Sequence, residues 1–555
     1  MRPWEKYEAF TGPSLPDRQW PSNKIREAPR WLATDLRDGN QSLASPMTGS
    51  QKLTYFNMLV ELGYKEIEVS TPTASFTEYD FTRQLIETPD AVPDDVWLQV
   101  LCPCRLDLIQ RTLDTVFQMS KQDVFNRVVE AVTYARSITK DDEAQKGTTW
   151  NLMFSPEAFS GSDMAFCLRL CEKAKEIWEP SVEVPIILNL PATVEMSTPN
   201  VFADQVEIFC RSISEREKVC VSLHVHNDRG CAVASAELGL MAGAQRIEGC
   251  LFGNGERSGN VDLVTLALNL YTQGIDPRVD FSNLASIRKA VEELTCIPVH
   301  PRAPYTGDLF FAAYSGAHQD AIHKGLVRYR AETGLWKVPY LSMDPEDLGL
   351  SRMDIIRLNS QSGKGGVAWI LFQELHITIP KGLQFNFSKV VKMASDTIRG
   401  TLSPSSVVHL FLSHYFIMEK DPRILSAEMK ERPNRRTPPA DSQEDGELLE
   451  IDALIEIQAT QLRLRGTGRD LASALENALR PTFIGEVTLE SSICLPESPQ
   501  EGLEALAVVE CRPSKGIKSG WGVRSTSYTS GSNVPELMAA LSSVLDLYES
   551  ERTGA

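Results

Sequence analysis

No apolar run in the chain approaches the roughly 20 residues that a membrane-spanning helix needs, so no membrane partner is expected. Excess positive charge is also missing: 56 Lys and Arg stand against 74 Asp and Glu, a formal net charge of −18 over 555 residues. Binding to phosphate backbones calls for a basic surface, so no nucleic-acid partner is expected either. The eleven cysteines form no paired framework; Cys102 and Cys104 flank a proline as C-P-C, neither a redox C-x-x-C nor a zinc knuckle. The stretch MRPWEKYEAFTGPSLPDRQWPSNK mixes charge with proline and has neither a secretion signal's apolar centre nor the Arg/Ser pattern of a transit peptide. The expectation is a cytoplasmic protein, with the mitochondrion as the alternative. SGKGG at 362–366 lacks the G-x-x-x-x-G-K-[ST] spacing of a phosphate loop and reads as a turn between small domains.

What is present is a repeat. Short apolar, β-branched runs begin at Trp31, Lys65, Trp97, Trp150, Val184, Cys220 and Ile247, separated by 34, 32, 53, 34, 36 and 27 residues. Each is followed by a stretch of helical periodicity, and a βα unit takes roughly 30 residues. The fold class is therefore α/β, a (β/α)8 barrel of the TIM type with one strand missing from the count, since only seven strands are found. The 53-residue interval, too long for one unit and too short for two, is where the eighth belongs.

Histidine is scarce, with eight in the chain, yet VSLHVHNDRGC at 221–231 places two of them two residues apart. Positions i and i+2 of a strand face the same side, so His224 and His226 point together toward the barrel axis. Barrel enzymes carry their chemistry at the C-terminal strand ends. Those ends supply Arg37, Asp38 and Asn40 (LRDGNQ), then Asn189, Thr193 and Glu195 (NLPATVEMS), then Asn254, Glu256 and Arg257 (GNGER). The two imidazoles can share one divalent metal ion, with Asp38 and Asn254 adding oxygens, a mixed set suited to Zn, Mn or Mg with open positions for substrate. The alternative is a pair of hydrogen-bonded interior histidines; the acidic and amide residues at neighbouring strand ends favour the metal.

LATDLRDGNQSL, LNLPATVEMSTPN, LHVHNDRG, EGCLFGNGERSGNVDLVTLALNLYTQG, SGAHQDAIHKG and NSQSGKGGVAW resemble the motifs of the 2-isopropylmalate synthase family in its long, fungal-like form, from about Asp17 to the C-terminus. The resemblance implies an acyltransferase of leucine-type biosynthesis that condenses acetyl-CoA, its co-substrate, with the 2-oxo acid 3-methyl-2-oxobutanoate. It puts the metal on Asp38, His224, His226 and Asn254, and has Arg37 hold the keto oxygen. Glu157 and Thr193 would line the 2-oxo acid pocket, with Leu101 and Asn189 beside them. His318 and Tyr340, contributed by the partner subunit of a homodimer, would stand near the methyl proton of acetyl-CoA, with Glu157 polarising His318.

The same resemblance expects a further barrel strand, of the type IHxY, between LIQRTLDT (108–115) and Val116, within the long interval. It has no counterpart here, so no residue is assigned the histidine and aromatic roles that strand supplies. Either the strand is lost or a gene model skipped coding bases; two unpaired barrel edges are costly, which favours the second. Two other functions compete. Cys102, Pro103 and Cys104 beside Leu101 allow a larger or aromatic 2-oxo acid of a secondary-metabolite pathway. A catalytically silent, ligand-sensing paralogue is the other, against which the retained metal ligands argue.

Residues 1–300 are thus expected to form the catalytic barrel with an N-terminal extension, and 301–425 helical linker subdomains. Residues 426–447, charged and proline-rich, read as a flexible connector. Within 448–555, two strand pairs each lead into an amphipathic helix, an α+β regulatory and dimerisation domain for which the resemblance implies a leucine effector. Arg524 follows G-W-G-V where the family tends to continue with glycine, so leucine feedback and plain dimerisation both stay open.

Overall fold

The computed structural model describes residues 12–102, 121–329, 334–355, 364–398, 401–415, 424–432, 448–457, 460–482, 487–494, 506–514, 519–525 and 537–544. The chain divides into two compact units, Met1–Phe310 with Pro345–Leu350, and Phe311–Asp344 with Ser351–Ala555. No helix among the described residues is long and apolar enough to cross a membrane.

The first unit is built on β1 (Arg30–Ala33), β2 (Glu66–Ser70), β3 (Trp97–Val100), β4 (Met153–Phe154), β5 (Ile186–Ala192), β6 (Val219–Val225) and β7 (Arg246–Gly249). All pairings are parallel, in the order β3-β2-β1-β7-β6-β5-β4. That is the ring order of a barrel opened at one seam. β3 and β4 have no strand between them among the described residues, and the expected eighth strand, at the junction of Thr115 and Val116, lies outside those residues. Every residue of β2, β5, β6 and β7 is buried, whereas Trp97 and Val100 on β3 are 44 % and 43 % exposed, as an edge strand would leave them.

The crossovers carry α1 (Gly49–Glu61), α2 (Phe76–Glu87), α3 (Lys121–Ser137), α4 (Met164–Trp178), α5 (Pro199–Ser212) and α6 (Ala232–Met241), and α7 (Leu263–Tyr271) and α8 (Leu284–Thr295) follow β7. Their starts are chemically marked. Thr48 and Gln51 form a reciprocal capping box, and Ser75, Asp163 and Asp262 each accept a backbone N–H of the first turn.

Alternation in the strands sends apolar side chains outward against these helices and polar ones into the barrel. Arg246 is 1 % exposed. It donates to Glu66 (2.8 Å), Glu248 (2.7 Å), Ser222 (3.2 Å) and Gln99 (2.9 Å). Gln99 in turn donates to Glu68 (3.0 Å), which also accepts Arg37 Nε (2.7 Å). A continuous charged and hydrogen-bonded layer therefore runs from the barrel floor to its mouth. Buried charges of this kind persist only when paired on all sides.

In the second unit, α9 (Gly316–Arg328), α10 (Lys364–Leu375), α11 (Lys381–Ile398) and α12 (Pro404–Tyr415) precede two antiparallel sheets. One has the order β10-β9-β8, from β8 (Ile424–Arg432), β9 (Leu448–Ile457) and β10 (Thr460–Gly468); the other joins β11 (Val487–Cys494), β12 (Leu506–Pro513) and β13 (Gly520–Ser525). A further helix, α13 (Leu471–Leu479), packs on the first. The connector expected from 426 onward begins instead with the strand β8. Its period-2 pattern seats Ala427 and Met429 against the apolar core while Glu428 and Lys430 face outward; charge on every second residue hid the strand.

β12 is buried on both faces. Leu506 and Val508, with Trp521 and Val523, join the core of α9–α12, whereas Ala507, Val509 and Cys511 join that of the other strands. Gly382 is required here, since a Cβ would stand 2.5 Å from the Trp521 ring. Arg524 donates to the carbonyl of Tyr415 (3.2 Å) at the end of α12.

Candidate active site

β1 runs directly into a π-turn, Asp35–Gly39, in which the N–H groups of Asp38 and Gly39 both donate to the Thr34 carbonyl (2.9 and 3.1 Å). Such wide turns recur at functional sites because they re-aim consecutive side chains. Asp35 anchors this one: its carboxylate accepts Tyr55 Oη (2.7 Å) and the Leu251 N–H (2.9 Å), and complete burial pushes its pKa up to about 7. The turn presents Arg37 and Asp38 at the mouth of the barrel.

There they meet the end of β6. Asp38, His224 and His226 are all buried, and each offers a ligand atom within 4.8 Å of the others. His224 Nε2 lies 3.6 Å from Asp38 Oδ2, and the two imidazole centroids are 5.2 Å apart. A divalent ion sits about 2.0–2.2 Å from such ligands, so closing on one needs only small side-chain movements. Burial, and after it the neighbouring His224, lowers the pKa of His226 to about 4, which keeps it a neutral donor. Its Nδ1 is buried with no hydrogen-bond partner. His224 is handled oppositely: burial disfavours its charge, but Glu248 at 3.5 Å from Nδ1 and Asp38 outweigh it and raise the pKa. For Asp38, burial is outweighed by Arg37 and His224, which hold the carboxylate ionised.

Of the four residues expected to hold metal, three converge. The fourth, Asn254, turns its amide onto the Gly39 carbonyl (3.3 Å). Asn260, six residues further on, is the amide that reaches the cluster. Its Nδ2 donates to Asp38 Oδ2 (2.7 Å), its Oδ1 is buried without a partner, and its backbone bridges that of His226. The intervening loop doubles back through positive φ at Gly255, Arg257 and Gly259. Distance along the chain from the strand end picked Asn254, whereas the fold brings the Asn260 amide to Asp38. The unpartnered Asn260 Oδ1 and His226 Nδ1 are atoms a cation would satisfy, so the donor set fits a divalent ion.

Arg37 is held on two sides, Nη1 on Asp38 (2.6 Å) and Nε on Glu68 (2.7 Å), and these carboxylates keep it charged against the cost of burial. Asn189 is buried on β5, donates to Ser155 Oγ (3.0 Å) and leaves its Oδ1 unpaired. Thr193 Oγ1 accepts the Ala158 N–H (2.9 Å), which fixes the loop bearing the exposed Glu157. Leu101 follows β3, its N–H on the Ser70 carbonyl (2.9 Å). His318 and Tyr340 belong to the second unit, where their rings stack at 4.1 Å and Tyr340 takes a left-handed φ of 64°.

Sequence reasoning passed over Glu68, Arg246, Glu248 and Asn260. For the first three the signal was present: E-I-E at 66–68 and R-I-E at 246–248 place charges at period 2 in strands whose other face is apolar. In a barrel, that face is the lumen.

Residues 28–291 match the HMGL-like family, and residues 308–372 match the alpha-isopropylmalate synthase post-catalytic domain-like family. Among curated relatives, 2-isopropylmalate synthase of Schizosaccharomyces pombe is 51 % identical over 440 residues, covering 75 % of this chain and 75 % of that protein. The protein of the same name from Saccharomyces cerevisiae is 49 % identical over 440 residues, 74 % of this chain and 70 % of its own. A 2-isopropylmalate synthase 2, mitochondrial, from S. cerevisiae is 44 % identical over 508 residues, 86 % and 81 %.

Proposed function

The chain belongs to the 2-isopropylmalate synthase family, and on that premise we propose that it condenses acetyl-CoA with 3-methyl-2-oxobutanoate to give 2-isopropylmalate and free CoA. The observation that carries this is the Asp38–His224–His226 cluster at the barrel mouth with Arg37 beside it. We assign Asn260, in place of Asn254, as the amide that completes the set; zinc, manganese and magnesium all suit such nitrogen and oxygen donors. When bound, a divalent cation would chelate the 2-oxo acid and polarise its keto carbonyl.

The remaining steps fall to the chain's own groups. The Arg37 guanidinium, already charged and oriented by Glu68, would stabilise the alkoxide as the keto carbon is attacked. His318, with Tyr340, contributed by the partner subunit of a homodimer, would take the methyl proton of acetyl-CoA as general base, with Glu157 polarising it. The new carbon–carbon bond joins that methyl carbon to the keto carbon; water then cleaves the thioester and CoA leaves as the thiol. Asn189 and Thr193 would orient the acceptor, and Leu101 would bound its side chain. Assembly as a homodimer, a leucine response of the C-terminal sheets and a cytoplasmic location are parts of the same proposal.

A second reading keeps the chemistry and enlarges the acceptor. It is favoured by Cys102, Pro103 and Cys104, which follow the pocket residue Leu101 directly in the sequence. A panel of 2-oxo acids of increasing side-chain size, assayed with acetyl-CoA for thiol release, tests both. The primary reading expects the branched four-carbon chain to react fastest; preference for an aromatic acid selects the second, and no thiol release with any acceptor refutes both.

A further inference from the structure

Beyond the metal cluster, a belt of hydrogen bonds ties together the loops that follow β4, β5, β6 and β7, and Arg257 stands at its centre. Its Nε and Nη2 donate to the two oxygens of Asp228 (2.9 and 3.3 Å), and Nη2 also donates to the Thr193 carbonyl. Asp228 accepts the Glu195 N–H (3.1 Å), and the buried Glu195 carboxylate accepts the N–H groups of Arg229 and Cys231 at the start of α6. On its other side Thr193 Oγ1 accepts the Ala158 N–H (2.9 Å). A hydroxyl that already accepts one bond has its proton left to donate, and the first bond strengthens the second.

Arg257 holds a left-handed backbone, φ 56°, a conformation a non-glycine residue keeps only where its surroundings over-determine it. Its fork makes three directed bonds at once, which a lysine ammonium on a flexible stem does not reproduce. None of those bonds goes to Asp38, His224 or His226.

We propose that Arg257 is a positioning residue of the acceptor pocket: by gripping Asp228 and the Thr193 carbonyl together, it aims the Thr193 hydroxyl at the carboxylate of the 2-oxo acid. The proposal rests on the reading of Thr193 as a pocket residue, and deepens it. Its consequence is selective. Losing the grip weakens the hold on the 2-oxo acid in ground state and transition state alike, which appears in KM, while Asp38, His224, His226 and Asn260, the groups assigned to the cation, accept none of the Arg257 bonds.

The test is steady-state kinetics of the metal-loaded full chain by thiol release, with the 2-oxo acid and acetyl-CoA varied separately. Arg257→Gln should raise KM for the 2-oxo acid about tenfold or more, with a smaller change in kcat and with KM for acetyl-CoA and manganese affinity within about twofold of the parent. Arg257→Lys should not restore it. Asp228→Asn, which keeps the shape and removes the charge, should shift the same KM in the same direction and decides the matter if the Arg257 variants do not fold. An unchanged 2-oxo acid KM, or a parallel loss of manganese affinity, overturns the proposal. Thr193→Ala separates the premise from the inference. If it leaves KM unchanged, the pocket reading falls and the proposal with it; if it raises KM while Arg257→Gln does not, only the positioning role is lost.

Discussion

Replacing Glu248 by glutamine should weaken metal binding without touching a metal ligand. The Glu248 carboxylate is buried and accepts from Arg246 Nη1 (2.7 Å) and Ser222 Oγ (2.7 Å), with His224 Nδ1 3.5 Å away. It thereby fixes the orientation and basicity of His224, whose Nε2 faces Asp38. Removing the partner of a ligating histidine typically costs about 10–100-fold in metal affinity, equivalent to about 1.4–2.7 kcal/mol. Glutamine fills the same volume and still offers an oxygen, so the lower half of that range is expected. Stability should also fall, because Arg246 loses one of its two carboxylates, but Glu66 at 2.8 Å still pairs it. The cost should stay below the roughly 3–5 kcal/mol of stranding a buried charge. Calorimetric titration of the metal-free protein with manganese, alongside thermal unfolding, measures both. Ser222→Ala, which removes a neutral bond to Glu248 and leaves its charge, should change manganese affinity by no more than about threefold. A folded Glu248→Gln protein that binds manganese as tightly as the parent would refute the role of Glu248.

Two further substitutions probe the mouth. Arg37→Lys should lower kcat several hundred-fold, on the order of the loss of an oriented oxyanion donor, because an ammonium cannot bridge Asp38 and Glu68 and still face substrate; a loss below about threefold in the thiol-release assay would remove Arg37 from the mechanism. Gly259→Ala should both destabilise the protein, by about 1–3 kcal/mol, and lower metal affinity, since φ is +91° and the new Cβ would stand 2.0 Å from the Gly253 carbonyl oxygen beside Asn260. Parent-like denaturant midpoint and manganese affinity together would contradict the loop geometry.

The barrel strands were legible because their signal is local. Runs expected to begin at Trp31, Trp97, Cys220 and Ile247 correspond to strands starting at Arg30, Trp97, Val219 and Arg246. The histidine pair was legible for the same reason, since a strand period of two fixes the relation of His224 to His226 whatever the rest of the chain does. Asn260 was not, because the loop between it and β7 reverses through left-handed residues, and chain distance there says little about position in space. β8 was missed because Glu428, Lys430 and Glu431 made a strand resemble a solvated connector. Arg246 and Glu248 were passed over because charge on a buried strand is rare, and only the closed network of Glu66, Gln99, Ser222 and Arg37 makes it stable.

The most direct test of the central claim is metal add-back. The chain is stripped of metal with a chelator and titrated with zinc or manganese, while thiol release from acetyl-CoA and 3-methyl-2-oxobutanoate is followed, in the parent and in His226→Ala. The parent should fall to background when stripped and recover with one equivalent of cation per chain. His226→Ala should keep the parent's unfolding temperature to within a few degrees, a span of about 1 kcal/mol, and recover no turnover. Full activity in the stripped parent, or a parent-like recovery in His226→Ala, would contradict the assignment of the Asp38–His224–His226 cluster as the metal site.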